Sequence, residues 1–150
     1  MVRFLTAIVL GYLVMVLVVV GVFTAAYPLV GIDRLFEPGT YQAARGWILL
    51  SFAVGLVAAM TAGSLCARVA PGTGAPLWLA AIVLVLGGLM AIPVVMSAST
   101  SRGGVRPAQI TMADAMAHAE QPVWVALLNP LVGAAGILIG AGPPGRRLRT

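Results

Sequence analysis

Hydrophobic and polar positions segregate along this chain into four long apolar runs separated by shorter polar segments. The runs cover about residues 4–26, 44–67, 77–96 and 122–141. A helix needs about 20 apolar residues to cross a hydrocarbon core of about 30 Å. The pattern therefore predicts an all-α membrane protein with four transmembrane helices in an antiparallel bundle, and a single domain over residues 1–150.

The first run has a rival interpretation as a signal peptide, because Thr24 and Ala26 resemble a small-residue cleavage site. The apolar region of a signal peptide is usually about 7–15 residues long, and this run is longer. We therefore expect an uncleaved span.

The polar connections predict how the spans are joined. The segment 71–76 between the second and third runs is short and rich in proline and glycine, so these two spans should be antiparallel neighbours. In the third connection, the sequence Thr111-Met112-Ala113-Asp114 resembles a capping box. It predicts a short extra helix that extends to about Glu120.

Small residues recur at every fourth position of the second run. Residues four apart on a helix lie along one ridge, and a ridge of small residues lets another membrane helix approach closely. The ridge consists of Ser51, Gly55, Ala59, Gly63 and Ala67. The expected partner is the glycine face of the fourth run, with Gly21 and Ala25 of the first run as a competitor. That glycine face consists of Gly133, Gly136 and Gly140. The ridge packs either within the chain or between chains, and the pattern leaves both open.

Proline and asparagine interrupt the apolar runs at three positions. Pro130 has no N–H for the Ala126 carbonyl, and Asn129 places an amide in an apolar segment. Pro93 interrupts the third run in the same way. These residues indicate either a kink with a hydrogen bond to a neighbouring helix or a broken helix that exposes its backbone to a transported solute.

Composition makes lipid the expected solvent, since 61% of the residues are hydrophobic and 9% are charged. The formal net charge of +5 comes from nine arginines without any lysine, mostly flanking the apolar runs. That distribution is a topology signal, so we expect no nucleic-acid partner. Lysine-free, alanine- and arginine-rich sequence is typical of GC-rich bacterial genomes. We expect a multi-pass protein of the bacterial inner (cytoplasmic) membrane, with both termini cytoplasmic.

The residues that could carry chemistry are few. Asp114 and His118 are four apart, and with Asp33 or Glu37 they could form a metal site on the surface. The chain has one histidine, however, so a solvated polar face is the simpler interpretation. No Walker loop, zinc motif or GxSxG occurs, and the apolar runs contain no ionisable pair suited to catalysis. We therefore expect no cofactor and no enzyme activity.

Two functions remain. The first is a non-catalytic protein that acts by helix–helix packing, as an accessory or scaffold subunit or as a self-associating bundle. Its partners would be the lipid bilayer and either another membrane protein or further copies of the chain. The alternative is a small oligomeric channel or carrier for a neutral or apolar solute. A scaffold predicts a tight bundle without a continuous cavity, whereas a carrier predicts a cavity that reaches Asn129.

Overall fold

The computed structural model describes residues 1–98, 107 and 111–143, and within these ranges the chain is helical without any β-strand. Four of the helices are long and apolar enough to cross a membrane. The helices are α1 (Val2–Val30), α2 (Ile32–Leu35), α3 (Arg45–Val69), α4 (Ala75–Ala98), α5 (Met112–Ala117) and α6 (Val123–Ala141).

Helix α1 extends past Ala26, where the apolar run was expected to end. Pro28 lies inside its last turn. The helix tolerates the proline there, because it removes only one N–H donor and its fixed φ is compatible with a helix. The helix ends at Gly31, whose φ of 77° is strained for a residue that carries a Cβ. The first connection therefore begins beyond residue 30 rather than at Tyr27.

The extra helix in the third connection forms, as the capping-box pattern predicts. The Asp114 N–H donates to Thr111 Oγ1 at 3.2 Å, and the Thr111 hydroxyl donates to Asp114 Oδ2 at 2.5 Å. Helix α5 ends at Ala117, earlier than Glu120. The reason is that Glu120 is drawn into extended pairing, in which its N–H donates to the Tyr41 carbonyl at 2.9 Å.

One half of the bundle is closely packed, and we call it the closed half. It is built from the first halves of α1 and α4 and the second halves of α3 and α6. Helix α6 contacts both α3 and α4, and α1 lies mainly against α3. Helices α3 and α4 contact each other only weakly, so the close neighbours predicted from their short connection are instead each packed against α6. Most of its buried residues are small, which lets the helices approach closely. The cluster consists of Ala7, Ala59, Ala62, Cys66, Ala70, Ala75, Leu79, Ala80, Val83, Ala134 and Ile137.

The opposite end carries the short helices α2 and α5, and we call it the capped end. Leu35 and Phe36 are buried there against Ala115, and Tyr27 and Trp47 pack onto them. The Ala43 N–H also donates to the Glu120 carbonyl at 3.0 Å, which joins the first and third connections. The cap therefore fixes the two connections to each other and to the ends of α1 and α3.

Candidate ligand-binding cavities

Two glycines bring the backbones of α3 and α6 into direct contact. A Cβ added to Gly63 would overlap the Ile137 carbonyl oxygen and lie 2.7 Å from the Ile137 carbonyl carbon. A Cβ added to Gly140 would overlap the Met60 carbonyl oxygen in the same way. Neither contact can relax by a side-chain rotation, because the opposing atoms belong to the backbone.

The other glycines of the α6 face contact two different helices. A Cβ on Gly136 would lie 2.8 Å from the Ala59 Cβ, so Gly136 extends the contact with α3. Gly133 instead faces α4, where the nearest atom to an added Cβ is Val83 Cγ1 at 3.2 Å. In the competing segment of α1, nothing lies within 4 Å of a Cβ placed on Gly21, and Ala25 is exposed. The neighbour of the ridge is therefore α6.

The ridge on α3 divides into two parts with different surroundings. Ala59 and Gly63 are buried at the crossing with α6, and Ala67 is half-buried. Toward the capped end, nothing lies within 4 Å of a Cβ placed on Gly55. Ser51 is half-buried, and its hydroxyl donates to the Ile48 carbonyl at 2.7 Å. At this end the ridge faces open space rather than a neighbouring helix.

Two adjoining cavities occupy the half of the bundle next to the capped end, which we call the open half. The mouth cavity has a volume of about 790 Å³ and lies among the ends of the four long helices and the segment 119–122. The deep cavity, of about 440 Å³, lies between the long helices nearer their middle. Both volumes fall in the range of about 300–1,000 Å³ that is typical of small-molecule sites. The cavities share Phe23, Ser51, Gln121 and Asn129 in their linings.

The interrupting residues of α4 and α6 lie at these cavities. Asn129 is exposed and lines both of them. Pro93 lines the mouth cavity, and Pro130 lines the deep cavity. Pro130 also packs onto α4, where a Cβ added to Gly87 would lie 2.6 Å from the Pro130 Cβ. The structure thus places Asn129, Pro130 and Pro93, which the sequence had grouped as interruptions of the apolar runs, at the linings of the two adjoining cavities.

The two linings differ in polarity. The mouth cavity is lined by amides and hydroxyls together with the Glu120 carboxylate, and also by the aromatic cluster Phe23, Tyr27 and Trp47. The ring centroids of this cluster are 5.1–6.1 Å apart. The deep cavity is lined mainly by apolar side chains, such as Met15, Val19 and Met90.

Sequence reasoning missed several of these lining residues. Trp47 and Tyr27 carry a signal, since aromatic residues at span ends are typical of membrane interfaces, but that signal points to lipid and not to a cavity. Phe23, Met90 and Gln121 carry no distinguishing signal. They line a cavity because α1 is separated from α4 and α6 at this level. The spacing of residues within one helix does not predict that separation.

The proposed metal ligands at the surface are not gathered into one site. His118, which directly follows α5, has its Nδ1 2.9 Å from the Asp114 carbonyl oxygen, and its ring centroid lies 5.4 Å from that of Tyr41. Across residues 1–98 and 111–143, no group of three or more His, Cys, Asp or Glu residues is close enough to hold a metal ion. Asp33, Glu37, Asp114 and His118 therefore do not form a cluster.

Comparison with known proteins assigns neither a family nor a function to the chain. No family model matches the chain, and neither a curated protein nor a solved structure is significantly similar to it. The functional argument therefore rests on the cavities and their chemistry.

Proposed function

We propose that this chain is a multi-pass membrane protein that binds a neutral or apolar small molecule in the open half of its bundle, as a carrier or binding protein without catalysis. The observation that carries the proposal is the pair of adjoining cavities that share Asn129 in their linings. A cavity at Asn129 is what a carrier requires and what a closed scaffold would lack.

The outer faces of the long helices support insertion into a bilayer. Leu17 is 67% exposed, Val85 62% and Ile139 62%, and each belongs to one of the four helices long enough to cross a membrane. Lipid is the solvent that accommodates such faces without an energetic penalty. The flanking arginines favour a cytoplasmic location of both termini, and the lysine-free composition favours a bacterial inner membrane.

The order of the contacts supports an antiparallel arrangement of consecutive spans. Along α1, Gly11 lies near Cys66 and Phe23 lies near Trp47, so the partners on α3 occur in reverse order. Between α4 and α6, the same reversal is found for Val83 with Gly133 and Gly87 with Pro130.

The small-residue ridge supports a structural role inside the chain more than a contact with a second protein. Ala59 and Gly63 are covered by α6, so the tightest part of the ridge is not free to receive another helix. An accessory or scaffold role would have to use a different surface. We therefore prefer the binding function to the scaffold function.

Energy transfer from Trp47 to a neutral apolar dye, N-phenyl-1-naphthylamine, tests the proposal. Trp47 lines the mouth cavity, and Trp78→Phe with Trp124→Phe would leave it as the only donor. In nanodiscs, we expect saturable transfer on top of the linear contribution of dye dissolved in lipid.

A matched pair of glycine variants distinguishes dye bound in the cavity from dye dissolved in the bilayer. Gly55→Leu would place a side chain into the deep cavity, whereas Gly21→Leu would add the same atoms to the exposed face of α1. Saturable transfer should disappear in the Gly55→Leu variant and persist in the Gly21→Leu variant. An equal saturable component in both variants would show that the dye does not occupy the deep cavity, and a purely linear signal in the unmodified chain would show that it occupies lipid only; either result would make the proposal fail.

A further inference from the structure

The polarity of the cavities changes along the bundle axis, and this gradient restricts the shape of the ligand. Gln42 and Ser97 line only the mouth cavity, while Met15, Val19 and Met90 line only the deep cavity. From Met15 to Phe23, the lining of α1 extends over about 12 Å at about 1.5 Å per residue. A ligand that fills both spaces would have one polar end and one elongated apolar end.

The hydrogen-bonding groups at the junction of the cavities are uncharged. Asn129 and Gln121 line both cavities, and each carries an amide that can donate and accept hydrogen bonds. Both side chains are exposed rather than buried in packing. Groups of this kind match a hydroxyl or amide head on the ligand.

The charge of the lining argues against an anionic head. Within the part of the chain that the structure describes, no arginine lines either cavity, and Glu120 contributes the one carboxylate of the mouth cavity. Among the residues that the structure describes, a fatty-acid or phosphate head in the mouth cavity would therefore meet no cationic side chain of the lining, and it would lie near Glu120.

The deep cavity is also open at the side of the bundle. Met90 lines this cavity and is nevertheless 77% exposed. Helices α1 and α4 approach closely at Gly11 and Leu79, where an added Cβ would lie 2.8 Å from Leu79 Cδ2, whereas Met15 and Met90 face the space between them further along. In a membrane, that side opening faces acyl chains rather than water.

We propose that the two cavities together hold one single-chain amphiphile taken from the bilayer, with an uncharged hydrogen-bonding head in the mouth cavity and its alkyl chain in the deep cavity. This inference rests on the proposed binding function and specifies its substrate class. Asn129 and Gln121 bind the head, and the cleft between α1 and α4 receives the chain.

Competition against N-phenyl-1-naphthylamine in nanodiscs, with Trp47 as the only tryptophan, tests the substrate class. The competitors share a dodecyl chain and differ in their heads: 1-O-dodecylglycerol, dodecyltrimethylammonium and dodecanoate, with dodecane as the chain alone and glycerol as the head alone. The three amphiphiles are used below their micellar concentrations. We expect dodecylglycerol to displace the dye, dodecanoate and dodecane to be at least about tenfold weaker, and glycerol to have no effect.

The variant Asn129→Leu provides the internal control for head recognition. It should remove the advantage of dodecylglycerol over dodecane, measured as the ratio of their competition constants in the same variant, so that a change in the affinity for the dye cancels. Dodecane competing as well as dodecylglycerol in the unmodified chain would overturn the assignment of a polar head. Stronger competition by the ammonium or the carboxylate would overturn its neutrality.

The binding function and the substrate class are contradicted by different results. If Trp47 shows no saturable transfer to the dye at all, the binding function itself is wrong. If transfer is saturable but no dodecyl amphiphile displaces the dye, only the substrate class is wrong. Occupation of the cleft by a helix of a second copy would appear as a dimer in cross-linking together with absence of displacement, and would also overturn the inference.

Discussion

The closed and open halves use the same four apolar helices, yet one is filled by its own side chains and the other contains cavities. In the closed half, glycine and alanine lie on both sides of the α3–α6 contact, so that the backbones touch at Gly63 and Gly140. In the open half, Phe23, Trp47 and Phe52 line the cavities between the helices, and Pro93 and Pro130 lie inside the continuous helices α4 and α6. The size of the side chains at the contact, rather than their hydrophobicity, separates a core from a cavity.

This difference follows from the physics of packing in lipid. Acyl chains are as apolar as the side chains, so helices associate only where they fit closely and gain van der Waals contact. Small residues in register give that gain, whereas isolated aromatic residues and kinks do not. The closed half therefore carries the stability of the bundle, and the open half is free to hold a ligand.

The largest expected effect comes from placing the same side chain in each half. Gly63→Leu forces a side chain into the Ile137 backbone and should destabilise the bundle by about 3 kcal/mol or more. Gly55→Leu meets open space and should change stability by less than about 1 kcal/mol. Unfolding in mixed micelles with increasing sodium dodecyl sulfate, followed by circular dichroism, measures both. Equal losses would remove the distinction between the halves.

The cap should contribute stability of its own, independent of the lipid-embedded contacts. Leu35→Ala truncates a side chain that is 1% exposed and should cost about 2–3 kcal/mol. Leu29→Ala, at a position that is 83% exposed, is the matched control and should have little effect. Hydrogen exchange of the Ala43 and Glu120 amides measures how firmly the first and third connections are joined. The Ala43 N–H donates to the Glu120 carbonyl, and the Glu120 N–H donates to the Tyr41 carbonyl. Unchanged exchange in Leu35→Ala would contradict the role of the cap.

The boundary between the halves can be examined at two adjacent glycines. Gly87→Ala places a methyl group 2.6 Å from the Pro130 Cβ, and the rigid proline ring leaves only backbone movement to relieve it. We expect a loss of about 1–2 kcal/mol in the same denaturation experiment. Gly88→Ala meets no atom within 4 Å and should be neutral or slightly stabilising, because alanine favours the helix. A larger loss at Gly88 than at Gly87 would show that α4 and α6 do not meet at Pro130.

The smallest effect on stability should come from Asn129→Leu. The side chain is exposed in the cavities, so its replacement should alter the free energy of unfolding by less than about 0.5 kcal/mol. Its effect should appear in ligand competition instead. A large loss of stability would identify Asn129 as a packing residue and favour the interpretation as a simple kink.

The scaffold interpretation illustrates where reasoning from the sequence reached its limit. The four-residue spacing from Ser51 to Ala67 indicates a small-residue ridge, and Gly136 and Gly140 indicate a matching face on α6. The spacing does not report where along the ridge the two helices cross. Ala59 and Gly63 lie in that contact, while Ser51 and Gly55 line cavities.

The sequence by itself determined the helical class, four apolar helices long enough for a membrane, and the capped short helix α5, because each depends on residues that are near one another in the chain. The tertiary structure alone decided that the ridge from Ser51 to Ala67 is closed by α6 at one end and open at the other. That outcome depends on the crossing point of α3 and α6 and on the separation of α1 from α4. Both are set by the combined sizes of side chains from different helices, which no local pattern contains.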